Sequence, residues 1–241
     1  MNRHLAFGDI HGCYDALRTL CALVRLRRDD ILIFLGDYVN KGPDSKAVLD
    51  EILRLDRLYR LIPLRGNHDI LMHRARTSAE VYRQWLQSGG NATLCSYTCS
   101  GASSGLSRIP LAHWHFLEHR LLPFHATATH IFVHAGVQPD LPLDQQPDMV
   151  LFHDKGTVPR PHCSGKIVVH GHTAQKSGLP AVNGHAICLD TWCYGKGWLT
   201  CLDVNAGLVY QANQHRQTRK FKLDTLYAQQ WEVPIAPENG G

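Results

Sequence analysis

Short apolar runs alternate with amphipathic segments along the first third of the chain. The first apolar run, residues 5–7, is followed by a segment in which Leu17 and Val24 lie at helical spacing. The next two runs are ILIFLGDYVN and LYRLIPLRGNHD, and Val48 and Ile52 lie at helical spacing between them. Runs of strand length and a three- to four-residue periodicity distinguish strands from helices. The order strand, helix, strand, helix, strand predicts an α/β layered core with helices packed over a largely parallel sheet.

The middle of the chain has a different pattern. Residues 73–88 and 110–122 have helical periodicity, whereas SGGNATLCSYTCSGASSG between them is rich in small and turn-forming residues and predicts a mobile loop. We therefore expect a single domain over residues 1–241 with an inserted lid or substrate-shaping subdomain at about 73–125. The runs HIFVHAG and KIVVHGH then restore the sheet pattern. HAICLDTW and GWLTCLDV predict two antiparallel strands, and the tail PIAPENGG is expected to fray.

Composition is that of an ordinary globular protein, with 44% hydrophobic and 19% charged residues. A net charge of +4 is too small and too evenly spread to favour nucleic acid. Because no apolar run has bilayer length and Arg3, His4 and Asp9 interrupt any secretion signal, we expect no membrane partner and a cytoplasmic location. Without a secretion signal we expect the cysteine thiols to be reduced. Cys95 and Cys99 do not indicate a structural zinc, because no second pair of cysteines at zinc-finger spacing accompanies them. The oligomeric state stays open.

Five apolar runs end in a glycine next to a side chain of metal-ligand type. The runs are FGDIH, LGDY, RGNH, VHAG and VHGH. In a layered α/β sheet the carboxyl ends of the strands lie along one edge, and glycine permits close approach there. We therefore expect the following side chains to converge: Asp9, His11, Asp37, Asn67, His68, His134 and His172.

The donor types narrow the chemistry of this expected site. Oxygen and imidazole donors without thiolate suit Mn, Fe or Zn. Two aspartates, one asparagine and three histidines are too many for one ion with an open position. These six donors can serve two divalent or trivalent ions if one carboxylate bridges the ions. Two such ions lower the pKa of a shared water and favour an in-line displacement at phosphorus.

The motifs GDIHG, GDYVNKGP, RGNHD, VHAG and HGHT resemble, in this order, the metallophosphoesterases of the phosphoprotein phosphatase type, particularly small bacterial serine/threonine protein phosphatases. The resemblance extends from residue 6 to about residue 212. It implies a calcineurin-like fold, a β-sandwich flanked by helices, and in-line attack by a hydroxide shared by two metals. It also implies roles for individual residues: Asp9, His11 and Asp37 as ligands of the first metal, Asp37, Asn67, His134 and His172 as ligands of the second, His68 as general acid and Arg65 as phosphate clamp.

Two residues depart from the pattern of this family. Asn40 stands where an aspartate normally orients the catalytic histidine, so His68 should be less basic. Lys41 replaces an arginine and offers a point charge instead of two parallel donors, so phosphate binding should be looser. A further family arginine is missing from its usual segment, where His153 or Arg160 is the candidate substitute.

The remaining histidines and one aspartate have simpler interpretations. His170 would point to the opposite side of its strand from His172, which favours a structural role. The spacing of His113, His115 and His119 favours a solvated helix face. Asp190 resembles a family aspartate that supports the site from behind the ligands.

Three functions are compatible with these motifs. The leading hypothesis is hydrolysis of phosphomonoesters, on phosphoserine or phosphothreonine in proteins or on a small phosphoester, because HGHT is closer to the protein phosphatase branch. The enzymatic alternative is a symmetrical dinucleoside polyphosphate hydrolase, a branch that also lacks the orienting aspartate and reads NHD. The third is a catalytically degenerate metal-binding interaction module, which would have lost a ligand, whereas all six are present.

Overall fold

A computed structural model of the chain describes residues 2–98, 105–154 and 160–226. The first of two sheets has six strands in the order β11-β10-β9-β1-β2-β3. Its strands are β1 His4–Phe7, β2 Ile31–Phe34, β3 Arg60–Pro63, β9 Leu199–Asp203, β10 Leu208–Ala212 and β11 Thr218–Lys222. The second sheet has the order β4-β5-β6-β8-β7. Its strands are β4 Phe124–Ala126, β5 His130–Val133, β6 Ile167–His170, β7 Ala181–Val182 and β8 Ala186–Cys188.

The pairing within the sheets corrects the expectation of a largely parallel sheet. Strands β1, β2 and β3 are parallel, as are β5, β6 and β8. The remaining strands pair antiparallel to their neighbours; they are β4, β7, β9, β10 and β11. The runs HAICLDTW and GWLTCLDV were predicted as antiparallel strands. GWLTCLDV supplies β9, which is antiparallel to β1 and β10, as predicted. HAICLDTW supplies β8 of the other sheet, which is antiparallel to β7 but parallel to β6.

Alternating side chains along the strands build a core on each side of the first sheet. Leu5 and Phe7 of β1 pack with the helices on one face, whereas Ala6 between them packs with Phe132 and Val169 of the second sheet. A third apolar cluster covers the outer face of the second sheet. The result is a sandwich of two sheets flanked by helices, which confirms the predicted fold class.

Seven α-helices are assigned within the described residues. They are α1 Tyr14–Val24, α2 Ser45–Leu58, α3 Asn67–Arg74, α4 Ala79–Trp85, α5 Asn91–Ser96, α6 Leu111–His115 and α7 Asp148–His153. Asp44 begins α2 by accepting a hydrogen bond from the backbone N–H of Ala47. None of the helices in the described ranges is long and apolar enough to cross a bilayer.

The insertion is helical over more of its length than predicted. The helix expected over 73–88 is divided between α3 and α4, and α5 forms within the stretch predicted as a loop. Trp85 at the end of α4 is completely buried, so this part of the insertion belongs to the core. Residues 99–104, with Cys99, and the tail PIAPENGG lie outside the described residues. The described cysteines carry free thiols.

A buried histidine joins the insertion to α2. His113 was predicted on a solvated face together with His115 and His119, but it is only 1% exposed, whereas the other two are exposed. Its Nε2–H donates to Asp50 Oδ1 at 3.0 Å, and its Nδ1 accepts from the Tyr97 hydroxyl at 2.7 Å. The solvated-face interpretation is therefore wrong for His113 because α6 turns this position toward α2.

We expect His113→Ala to lower the free energy of unfolding by about 1–3 kcal/mol at pH 7.5, because two hydrogen bonds are lost. Burial lowers the pKa of His113, so the neutral ring fits the fold and its contribution is lost as the pH falls below about 6.5. Urea denaturation at pH 7.5 and 5.5 should therefore give a smaller difference between variant and wild type at pH 5.5. His115→Ala, at an exposed position of the same helix, is the control. An equal difference at both pH values would contradict the prediction.

Candidate metal centre

The loops after β1, β2 and β3 of one sheet and after β5 and β6 of the other meet at one place, with Asp37 at its centre. Asp37 Oδ2 is 3.3 Å from His11 Nε2, and Asp37 Oδ1 is 3.6 Å from His134 Nε2. Two groups of potential metal ligands share this residue, namely His11, Asp37 and His68, and Asp9, Asp37 and His134. Within each group the ligand atoms lie within 4.8 Å of one another.

Asn67 and His172 complete the set of predicted donors. Asn67 Oδ1 is 3.0 Å from His134 Nε2 and 3.1 Å from His172 Nδ1. The backbone N–H of His172 donates to both carboxylate oxygens of Asp9, with N···O distances of 3.2 Å to Oδ1 and 3.0 Å to Oδ2. All six predicted ligands are therefore brought together from positions spread over most of the chain.

The backbone at this site adopts conformations that are uncommon for residues with side chains. Five non-glycine residues have φ in the left-handed region: His11, Asp37, Asn40, Lys41 and His172. Such strain persists only where the surrounding structure holds it, and it concentrates at functional sites. Glycine permits two close approaches, since a Cβ at Gly66 would collide with Asp37 and one at Gly171 would collide with Asp9.

Hydrogen bonds orient two of the imidazoles toward Asp37. His11 Nδ1 donates to the Val39 carbonyl at 3.0 Å, and His134 Nδ1 donates to the Leu35 carbonyl at 2.8 Å. Each ring therefore presents an unprotonated Nε2 to a carboxylate oxygen. Lone pairs that face one another in a buried site repel, and a cation between them would remove the repulsion. This arrangement fits a metal.

The pKa values agree with that fit. Burial lowers the pKa of His11 to about 3 and that of His172 to about 4, so both rings are neutral at pH 7. Burial, followed by the charges of Asp190 and Asp37, raises the pKa of Asp9 well above its ordinary value. Burial also raises the pKa of Asp190 to about 6. Neutral imidazoles beside carboxylates with uncompensated charge form a donor set for hard or borderline cations.

The candidate acid His68 is held by Asn40. Asn40 Nδ2 donates to His68 Nδ1 at 2.9 Å. The Asn40 oxygen accepts from the indole N–H of Trp85 at 2.8 Å and from the Thr93 hydroxyl at 3.0 Å, which fixes the orientation of the amide. His68 therefore accepts at Nδ1 and carries its proton on Nε2 when neutral. Burial lowers the pKa of His68. The effect expected from the missing aspartate at position 40 stays a prediction.

Of the two predicted phosphate-binding residues, Lys41 contacts a candidate metal ligand and Arg65 contacts a backbone carbonyl. Lys41 Nζ donates to His11 Nε2 at 3.2 Å and lies 4.3 Å from the ring centroid of Tyr194. The Arg65 guanidinium instead donates to the Leu121 carbonyl at 3.2 Å. Of the two candidate substitutes for the missing arginine, Arg160 pairs with Asp140 at 2.6 Å on the surface. His153 lies close enough to His134 to contribute, after burial, to the lowering of its pKa.

Sequence reasoning did not single out several residues that support the site. The Asp69 carboxylate accepts from the backbone N–H groups of Asp37, Tyr38 and Gly66, and so ties the loop after β2 to the start of α3. The position of Asp69 in the NHD motif was a signal that could have identified it. Trp85 and Thr93 gave no such signal, because they lie far from the motifs in sequence.

Asp190, which was expected to support the site from behind the ligands, and His170, which was expected to be structural, are both buried near the donors. Asp190 is 2% exposed and accepts from the backbone N–H of Trp192 at 3.0 Å. The His170 Nδ1 lies 3.1 Å from the Gly171 carbonyl oxygen. Burial lowers the pKa of His170 to about 4.

The sequence profile described as calcineurin-like phosphoesterase matches residues 3–195. The chain belongs to the calcineurin-like phosphoesterase family. A solved structure of a candidate diadenosine tetraphosphatase superposes with a TM-score of 0.61 and 23% identity, covering 91% of this chain and 93% of that one. At this identity the likeness establishes the fold only.

Curated proteins with a more specific name are also similar to the chain. A symmetrical bis(5'-nucleosyl)-tetraphosphatase from Nitrosospira multiformis is 34% identical over 142 residues, 58% of this chain and 46% of that protein. One of the same name from Legionella pneumophila is 48% identical over 66 residues, 27% of this chain and 23% of that protein. The chain thus matches less than half of the length of either relative.

Proposed function

We propose that this chain is a metal-dependent phosphoesterase that hydrolyses symmetrical dinucleoside polyphosphates. The observation that carries the proposal is the hydrogen bond from Asn40 Nδ2 to His68 Nδ1 beside the cluster of metal-type donors. It stabilises the neutral form of His68, so that little protonated imidazole is present at neutral pH to protonate a leaving group. The substrate should therefore be one that needs little protonation of its leaving group.

The metals are assigned to the six converged donors. Asp9, His11 and Asp37 would hold one ion, and Asn67, His134 and His172 would join Asp37 around the second. When bound, Mn, Fe or Zn ions would supply positive charge that stabilises an in-line displacement at phosphorus and lowers the pKa of a nearby water. Hydrogen bonds from the His11 and His134 rings to backbone carbonyls keep the ligating nitrogens aimed inward.

His68 is assigned the transfer of a proton to the leaving oxygen. An alkoxide leaving group from phosphoserine is strongly basic and requires an effective acid. A nucleotide leaving from a phosphoanhydride bond is a phosphate, whose second pKa is only about 6. The low basicity of His68 therefore disfavours alkyl phosphates and is compatible with phosphoanhydrides. The name shared by the two curated relatives supports the same substrate class.

The protein serine/threonine phosphatase remains the second candidate, favoured by the HGHT motif at residues 170–173. The described site contains every predicted ligand, which argues against the degenerate interaction module.

The test compares substrates that differ in the basicity of the leaving group. Metal content would be measured on the purified chain, and kcat/KM would be determined for diadenosine tetraphosphate, a phosphoserine peptide and a series of aryl phosphates. We expect at least 100-fold preference for the dinucleotide over the peptide and a steep dependence on leaving-group basicity among the aryl phosphates. A preference for the peptide would favour the protein phosphatase, and metal binding without hydrolysis of any ester would favour the interaction module.

Lys41→Arg is expected to lower the KM for a small phosphomonoester about three- to tenfold, because a guanidinium offers two parallel donors to phosphate. In the metal-loaded protein an ion on His11 Nε2 would displace the Lys41 ammonium and leave it available to a phosphate oxygen. Steady-state kinetics would measure the change, with Lys41→Gln as a control that should raise KM. An unchanged or higher KM for Lys41→Arg would count against this role.

A further inference from the structure

A groove of about 760 Å³ lies between α1 and α2, on the helical side of the first sheet. Its polar lining consists of three arginines, two tyrosines and one glutamate. They are Tyr14, Arg18, Arg25, Glu51, Arg54 and Tyr59. The volume lies within the range of sites that bind small molecules of nucleotide size.

The groove carries excess positive charge. Glu51 accepts two hydrogen bonds from the Arg54 guanidinium, from Nε and from one terminal nitrogen, each at 2.7 Å, so these two charges compensate each other. Arg18 and Arg25 are exposed and, within the part of the chain that the structure describes, no acidic side chain pairs with either of them. A guanidinium without a carboxylate partner is the preferred protein donor to phosphate oxygens.

The other walls of the groove suit a planar, uncharged ring. Tyr14 and Tyr59 are half-buried and both line the groove, Tyr14 at the start of α1 and Tyr59 directly after α2. Cys21 also lines it, and burial raises the pKa of its thiol to about 12, so this wall stays neutral at physiological pH. Arginine and tyrosine side chains both stack on aromatic rings.

The arginine-rich end of the groove is separate from the metal centre. Arg25 follows α1 and Tyr59 follows α2, so both lie near the edge of the sheet where β2 and β3 begin. Asp37 lies beyond the opposite end of β2, which is about 13 Å long for its four residues. A ligand in this end of the groove therefore does not occupy the metal centre.

We propose that the groove between α1 and α2 binds a nucleoside diphosphate as a second site, with its phosphates on Arg18 and Arg25 and its base against a tyrosine. The site does not depend on the proposed hydrolysis, because none of its residues belongs to the metal centre.

The test is isothermal titration calorimetry of the full-length chain with ADP in the presence of EDTA, which removes metal-assisted binding. The variant combines Arg18→Gln with Arg25→Asn, since Arg25 has φ 53° and asparagine tolerates the left-handed region. We expect ADP to bind at least tenfold more weakly to this variant than to the wild type. Arg57→Gln, an exposed arginine of α2 that does not line the groove, should bind ADP as the wild type does.

Two further measurements separate this site from the metal centre and from a simple anion site. Asp37→Asn should keep the calorimetric affinity for ADP, and the Arg18/Arg25 variant should keep the wild-type kcat/KM for the dinucleotide. Pyrophosphate, which has the same number of phosphates as ADP, should bind at least tenfold more weakly because it lacks the nucleoside. Absence of ADP binding to the wild type, equal ADP affinity in the double variant, loss of ADP binding in Asp37→Asn, or equal affinity for pyrophosphate would each overturn the proposal.

Discussion

Asp37→Asn should lower kcat/KM by about 1,000-fold or more, which corresponds to about 4 kcal/mol of transition-state stabilisation. The two carboxylate oxygens face His11 and His134 separately, and Oδ1 also accepts the backbone N–H of His68. An asparagine presents an NH₂ group to one of the two histidines and removes the negative charge that the two proposed ions would share. Steady-state kinetics together with elemental analysis of the purified protein would measure the loss of activity and of bound metal.

The control for Asp37→Asn is Asp29→Asn, an exposed change of the same type just before β2, at the far edge of the sheet. It should retain wild-type activity and metal content. Circular dichroism of both variants would verify that the fold is intact. Full metal content and activity in a folded Asp37→Asn protein would refute the assignment of Asp37 as the shared ligand.

Asn40→Asp should raise kcat/KM for an alkyl phosphomonoester about tenfold at pH 8 and shift the alkaline limb of its pH profile upward by about 1 unit. A carboxylate near an imidazole raises the pKa of the imidazole by favouring its cation. The new carboxylate would still accept from Trp85 and Thr93, which already donate to the Asn40 oxygen, so it would not be left without partners. Hydrolysis of diadenosine tetraphosphate should change less than twofold, because its leaving group needs little protonation. Measurement of kcat/KM against pH for both substrates would separate the two effects.

Asn91→Asp is a suitable control for the added charge. Asn91 is exposed at the start of α5, so the aspartate should leave His68 and both pH profiles unchanged. An unaltered pH profile in Asn40→Asp would show that His68 does not limit the reaction as the proton donor.

The sequence indicated much of the local structure near the parallel strands. Continuous apolar runs ended by glycine located β1, β2 and β3, and helical periodicity located α1 and α2, because these elements bury one face or both. The same reasoning was less reliable in the insertion. Residues 91–96 are small or polar except for Leu94, and they form α5 because packing of Leu94 in the core that contains Trp85 compensates for weak intrinsic preference.

The sequence by itself determined which candidate donors lie at strand ends, because an apolar run that ends in glycine places the adjoining polar side chain at the carboxyl end of its strand. Asp9, His11, Asp37, Asn67, His134 and His172 all lie at such positions, and the packing of the two sheets brings them together. Only the tertiary structure decided how the second sheet closes on the first, since antiparallel and parallel partners present similar apolar patterns.

Tertiary structure also decided which distant groups control the site. Trp85 and Thr93 fix the amide of Asn40, and the Arg65 side chain is directed to the Leu121 carbonyl. Side-chain direction and long-range hydrogen bonds depend on where the insertion packs, and no local spacing encodes that position. The identities of the candidate ligands are therefore a property of the motifs, whereas the orientation of the candidate acid is a property of the folded insertion.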